Sequence, residues 1–399
     1  MNGRDGERHA VLVPTGFAPG SYSCVRSLGS RGIHTIVGTE YDTGTTVSSR
    51  YCGERVRIPP PQNDLVAYKD ALLDIAARPS VRTILPLRPY DPYVLSKYHD
   101  EFDPYVSIPV PHLDTLNTVF DRLKLYEAAT ELDVPVPETW TVDETDELHG
   151  KYIVKSRYNL LVSEYLPSYA EGKSNTAKSV LHVDQGILPD TASTIEEMNH
   201  VPIVQEYVRH DNQYVFGALY DHGEPKATFQ HRQLRGLSYT GGGGVYRETI
   251  SDPELEAVGR QLLDGLEWHG LACIEYAKDA YTGEYKLLEI NPRLWQSVPC
   301  AVRAGADFPF FYWCLALGNH ELIDPTYRLN VRTHFLLGEL RYLRSLLNDE
   351  SDLVDRPSFA ATAWDIAASC IMYPYFDNLR WDDPLPFLHR LGHVYRTKR

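Results

Sequence analysis

Glu289 and Asn291 stand two residues apart in the apolar run EYKLLEINPRLWQS, residues 284–297. On an extended strand, side chains at i and i+2 leave the same face, so this carboxylate and amide point together while Leu288 and Ile290 point the other way. Pro292 ends any ladder, and Arg293 follows at the strand's mouth. Upstream, ACIEYAK (272–278) offers Glu275. If the two runs form a hairpin with Asp279 opposite Tyr285 around the loop AYTGE, Glu275 falls directly across from Glu289. Two opposed carboxylates are destabilising unless a cation lies between them. Oxygen-only donors (Glu275, Glu289, Asn291) suit Mg²⁺, or Mn²⁺, and Arg293 adds an anion partner. The alternative pairs Glu275 with Lys286 or Arg293 and needs no metal.

Several elements must hold this constellation. HAVLVPTG (9–16), SYSCVRSLGSRG (21–32) and IHTIVGTE (33–40) read as strand, helix and strand, and VRTILPL (81–87) adds another strand. The first turn, GFAPG, lacks the GxGxxG spacing of a dinucleotide fingerprint, so it reads as a packing turn, although Glu40 stands where a ribose acid would. A helical pattern begins near 116 and runs through Leu123, Tyr126, Ala129 and Leu132. The short strands KYIVKS (151–156) and PIVQEYV (202–208) flank a polar stretch. QYVFGALYDHGEPKATFQHRQLR (213–235) reads as two strands, TGGGGVYRET (240–249) follows, and DPELEAVGRQLLDGL (252–266) reads as a helix. LRPYDPYV (87–94) carries Arg88, either a carboxylate grip or a plain strand end.

The chain has 399 residues, 43% apolar and 23% charged, enough for two or three folded domains. Its net charge of −15 argues against a general nucleic-acid binder, which needs a basic face. Excess acid with few lysines fits a protein that works in high salt. Neither the six scattered cysteines nor the 15 histidines show metal-ligand or disulfide spacing. The charged start lacks a signal-peptide h-region, and FPFFYWCLAL (308–317) is too short to span a bilayer, so a cytoplasmic protein without membrane contact is expected.

LACIEYAKD…YKLLEINPRLW, with DRLKLYEAATELDVPVPETW, the VK of KYIVKS and VQEYV in that order, resembles the ATP-grasp superfamily, near biotin carboxylase and carbamoyl-phosphate synthetase. The likeness covers roughly residues 5–325. It implies an α/β and α+β fold: a Rossmann-like pre-ATP-grasp domain (1–115), a two-lobed ATP-grasp domain (116–325) whose lid lobe covers about 150–208, and a helical C-terminal segment (326–399).

The resemblance also implies roles. Lys155 would meet the α/β-phosphates of ATP. Gln205, Glu206 and Val208 would form the hinge, the backbone of the last two would hold the adenine edge, and Asp211 the ribose. Either Arg122 or Lys124 would supply a further phosphate cation. Glu275, Glu289 and Asn291 would bind Mg²⁺, and Arg293 would steady the acyl phosphate. Of Arg232 and Arg235, which cannot share a face on a regular strand, Arg235 is preferred as the second catalytic cation. The lid departs from the family in being glycine-poor: it has only Gly172 and Gly186, with Lys173, Ser174, Asn175 and Lys178 as donors. Gly241–Gly244 reads as a second mobile loop or as a turn that tolerates positive φ.

The implied reaction phosphorylates a carboxylate and passes its acyl group to an amine or similar nucleophile, releasing ADP and phosphate. The partners are therefore small-molecule carboxylates and amines, and a homodimer is common among such enzymes. The competing readings are a biotin-carboxylase-like enzyme, a small-molecule kinase and a nucleotide-binding protein without catalysis.

Overall fold

A computed structural model describes residues 9–396 except 145–149, 168, 177–179, 184–189, 211 and 352. The chain opens with a parallel sheet of four short strands, β1 (Ala10–Val13), β2 (His34–Thr39), β3 (Glu54–Arg57) and β4 (Val81–Ile84), in the order β3-β2-β1-β4. All of β1 is buried, as a strand covered on both faces must be. A second sheet, β5-β8-β6-β7, is antiparallel and comprises β5 (Thr139–Thr141), β6 (Tyr152–Lys155), β7 (Val180–Val183) and β8 (Ile203–Glu206). It has its own small core of Val142, Tyr152, Val154, Val183, Met198 and Val204, so this lobe is a unit in its own right.

The third sheet is built from β9 (Gln213–Asp221), β10 (Glu224–Arg235), β11 (Tyr246–Ile250), β12 (Gly270–Lys278), β13 (Tyr285–Asn291) and β14 (Arg332–His334). Its order is β13-β12-β9-β10-β11-β14. Strand alternation sorts β9 between two cores. Phe216, Ala218 and Tyr220 join the core under the helix Pro253–Gly265. Val215 and Leu219 join the core shared with Val11 and Val13 of the parallel sheet. One face of the six-stranded sheet is therefore bonded to the N-terminal sheet by a common apolar layer.

The last segment holds helices Leu336–Asn348, Phe359–Met372 and Leu385–Arg396, as the pattern predicts. It also contributes β14, which pairs with β11 through Tyr246↔His334 and Glu248↔Arg332, so the segment from 326 onward is part of the sheet rather than an appendage. Among the described residues no helix is long and apolar enough to cross a membrane.

Candidate active site

Glu275 and Glu289 face each other directly across the β12–β13 ladder, and Cys273 faces Asn291. The hairpin reaches this register by a different route from the expected one. Its last registered pair is Lys278↔Tyr285, which alone would offset the carboxylates by one residue; a β-bulge at Leu288 restores the match. The bulge has a second effect. It puts Tyr285, Leu287 and Ile290 into the core while Lys286 joins the side that carries Glu289. The Leu288 carbonyl, displaced by the bulge, accepts a hydrogen bond from Tyr126 Oη (2.7 Å).

Around this pair the chain gathers cations. Arg122 Nη2 donates to Glu289 Oε2 (2.7 Å) and its Nη1 to the Ser156 carbonyl (2.8 Å). Asp121 caps the helix Arg122–Glu131 by accepting from the Leu123 N–H, and Arg157 clamps that carboxylate at 2.6 Å and 2.8 Å. This sets the helix phase: Arg122 is buried, while Lys124, the alternative phosphate cation, points to solvent. The structure therefore corrects the expectation for Lys124: of the two cations, Arg122 is the one that joins the cluster.

Lys155, at the end of β6, donates to Tyr126 Oη (3.2 Å). Desolvation and then the neighbouring Arg122 guanidinium depress its ammonium to about 7, with Glu289 and Glu275 pulling the other way.

Asn291 Nδ2 donates to Glu289 Oε1 (2.7 Å), and Arg293 Nη2 donates to Asn291 Oδ1 (2.9 Å). Arg293 thus meets Asn291, and Lys286 pairs with Glu206 (3.0 Å) and Asp279 (3.1 Å). The turn that presents Arg293 is held by Trp295, whose indole lies flat enough on β9 that a Cβ at Gly217 would come within 2.6 Å of it. The Leu294 N–H donates to the Pro86 carbonyl (2.9 Å), tying the same turn to the N-terminal domain.

The hinge residues occupy β8 and its exit. Gln205 is buried and donates to Thr139 Oγ1 (2.9 Å), a bond within the lid sheet. The Glu206 N–H goes to the Glu138 carbonyl (2.8 Å) and the Tyr207 N–H to the Lys151 carbonyl (2.9 Å), so the Glu206 amide has only its carbonyl to offer an adenine edge. Val208 is buried, and its carbonyl accepts from His210 Nδ1 (2.7 Å). Asp211 lies outside the described residues, as do Lys178 and Gly186.

Arg235 is not brought to this cluster. Its Nε and Nη2 form a fork on Glu339 (2.9 and 3.1 Å), Nη2 also reaches Ser369, Nη1 reaches Asp365, and the guanidinium covers the Tyr246 ring at 4.5 Å. All of these partners except Tyr246 belong to the C-terminal helices, so Arg235 is a clasp and its expected catalytic role is corrected. A bulge in β10 between Gln233 and Arg235 also removes the premise that Arg232 and Arg235 cannot share a face. Arg232 instead bonds Glu248, which Arg332 meets from β14.

Between β6 and β7, residues 172–174 dock onto residues 61–65. Lys173 Nζ donates to the Asn63 carbonyl (2.8 Å), Ser174 Oγ to the Pro61 carbonyl (2.7 Å), and the Leu65 N–H to the Gly172 carbonyl (2.8 Å). In the glycine run, Gly241 and Gly242 take φ of 136° and 92°. Gly243 and Gly244 lie against Gln296 and Gln233, where a Cβ would come within 3.0 Å and 2.9 Å.

The donor set fits a hard divalent cation: two carboxylates and an amide oxygen from paired strands, without sulfur or imidazole. Buried Nε atoms on Arg122 and Arg293 have no acceptor among the described residues, which fits an anionic ligand beside that cation.

No family model matches the sequence, and no curated protein matches it. Solved structures do. A pyruvate carboxylase from Rhizobium etli aligns at TM-score 0.59 and 14% identity over 82% of this chain, which spans 30% of that enzyme's length. An ADP complex of N5-carboxyaminoimidazole ribonucleotide synthetase aligns at TM-score 0.58 and 13% identity, over 92% of this chain and 97% of that one. The protein has the ATP-grasp fold. An L-amino acid ligase from Bacillus licheniformis shares this ATP-grasp architecture at TM-score 0.54 and 11% identity, over 80% of this chain and 78% of the ligase. At such identities the agreement concerns architecture alone.

Tyr126 and Gly217 are contributors that sequence reasoning did not single out, and Lys286, named there as a possible partner of Glu275, pairs with Glu206 and Asp279. Tyr126 has the spacing of a core helix residue, and its hydroxyl is what distinguishes it. Lys286 reaches the hinge only because of the bulge.

Proposed function

We propose that the protein is an ATP- and Mg²⁺-dependent ligase that activates a carboxylate as an acyl phosphate and transfers the acyl group to an amine or similar nucleophile. The observation that carries this reading is the opposition of Glu275 and Glu289, with Asn291, inside a ring of Arg122, Lys155 and Arg293. When bound there, Mg²⁺ would neutralise and orient the phosphate oxygens.

The chain's own groups then have distinct tasks. Lys155, depressed to about 7, is a cation whose charge is completed when a triphosphate arrives. Arg122 holds Glu289 in place and keeps one donor in reserve. Arg293 offers its guanidinium where negative charge builds on the transferred phosphoryl group and on the tetrahedral adduct. The hinge, tied to β13 by Glu206 and Lys286, orients the adenine end. No covalent enzyme intermediate is required, since positioning and charge neutralisation carry such reactions.

The test is product analysis with mixed carboxylates and amines. ADP and phosphate that accumulate only when both are supplied support the ligase. AMP and pyrophosphate would contradict it. ADP release that requires bicarbonate and biotin would move the reading to the carboxylase branch.

A further inference from the structure

Six of the 15 histidines line one cavity of about 1130 Å³: His9, His99, His112, His222, His269 and His320. The cavity lies between the N-terminal domain and the turn end of the large sheet. His269 directly precedes β12, six residues before Glu275, which at strand rise is roughly 20 Å from the proposed catalytic pair. Within it, Asp221, His222 and His269 bring one ligand atom each to within 4.8 Å of one another.

We propose that Asp221, His222 and His269 form a second metal site, for a divalent ion of the zinc class, separate from the Mg²⁺ site.

Two features support it. The distances are near those of a closed site: Asp221 Oδ1 lies 3.7 Å from His269 Nδ1 and 3.9 Å from His222 Nε2. Donors sharing one tetrahedral ion stand roughly 3.4 Å apart, given bonds of about 2.0–2.2 Å. The remaining movement falls on His222, whose side chain is 74% exposed and sits on the β9–β10 turn at φ 47°. Its ring now stacks on that of His269 at 4.0 Å and would have to turn out of that stack for both imidazoles to meet one ion.

His269 Nδ1, the nitrogen that faces Asp221 Oδ1, now accepts the His222 backbone N–H (3.2 Å), a bond that the ion would replace.

Finally, the surroundings resemble an outer shell. Lys226 Nζ and His320 Nδ1 lie 3.8 Å and 3.7 Å from Asp221 Oδ2, which leaves Oδ1 to the ion. A 2-His-1-carboxylate set selects zinc-class ions over Mg²⁺. The sequence shows no metal spacing because Asp221 and His222 lie at the β9–β10 turn and His269 stands before β12, 47 residues after His222.

The test uses the full chain, stripped with chelator and titrated with Zn²⁺, then with Co²⁺ as a spectroscopic probe. The expected result is one tight equivalent, with Co²⁺ d–d bands of a four- or five-coordinate site. His269→Gln and His222→Asn should each weaken binding at least ten-fold, and the double variant should abolish it. Every variant should keep the wild-type melting temperature without ligand, which reports folding and keeps this test independent of the ligase reading. Should the double variant melt early, Asp221→Asn, with its unchanged size, takes its place and must lose the ion. No saturable site, or binding that survives these substitutions, overturns the proposal.

Discussion

Arg122 Nη2 lies 2.7 Å from Glu289 Oε2, joining the first turn of a helix to a strand 167 residues further along the chain. Two residues on, Lys124 is exposed on the same helix. Arg122→Met should therefore cut turnover about 100-fold or more, the scale seen when one preorganised donor is removed. Lys124→Ala should leave turnover within about two-fold. Steady-state ADP release on the two variants distinguishes them, and equal effects would contradict the placement.

Arg235 should behave as a structural residue. Its side chain is 8% exposed and that of Glu339 2% exposed, so Arg235→Met deprives a buried carboxylate of its guanidinium and leaves it to His334. The expected cost is about 3 kcal/mol of stability, read as a lower denaturant midpoint. The KM for ATP of the folded fraction should not change. A stable variant with a raised KM would return Arg235 to the active site.

The depressed Lys155 makes ATP binding pH-dependent. Between about 7 and its ordinary 10.5 this lysine is neutral in the fold and protonated in the unfolded chain, so its contribution to stability rises with pH across that window. A triphosphate at Nζ restores the charge. At pH 8, calorimetry in buffers of different ionisation enthalpy should show proton uptake on ATP binding. The uptake should fade below about pH 6 and vanish in Lys155→Met. Binding at pH 8 without uptake would contradict the assignment.

Gly217→Ala would place a Cβ 2.6 Å from the Trp295 indole. The ring must move, and with it the turn that presents Arg293. Overpacking of this kind costs about 1–3 kcal/mol. We expect the thermal shift with Mg·ATP to persist while ADP release falls at least ten-fold, because Arg293 rather than the phosphate cations is displaced. Unchanged turnover would show that the Trp295 seat does not set Arg293.

What could be read from the chain, and what could not, follows from the range of the forces involved. Strand alternation is local, so Glu289 with Asn291 and the opposing Glu275 were legible. The bulge at Leu288 was not, because the carbonyl it displaces finds its donor in the Tyr126 hydroxyl, 162 residues away. Helix phase separates Arg122 from Lys124, but a two-residue ambiguity at a helix start is resolved only by the cap, here Asp121 held by Arg157. Arg235 misled because its partners, Glu339 and Asp365, sit in C-terminal helices that carried no motif. The docking of Lys173 and Ser174 onto residues 61–63 was equally beyond reach, since main-chain acceptors leave no mark on side-chain pattern.

The central claim is that Glu289 helps hold a metal–nucleotide complex. The most direct test is the melting temperature of wild type and Glu289→Gln, each with and without Mg·ATP, in high salt. Ligand at about a hundred times its Kd adds roughly 2.7 kcal/mol to the bound fold, a shift of a few degrees. The account predicts that shift in wild type, its loss in Glu289→Gln, and unliganded melting points within a few degrees of each other. An equal Mg·ATP shift in both proteins, or none in wild type, would contradict it.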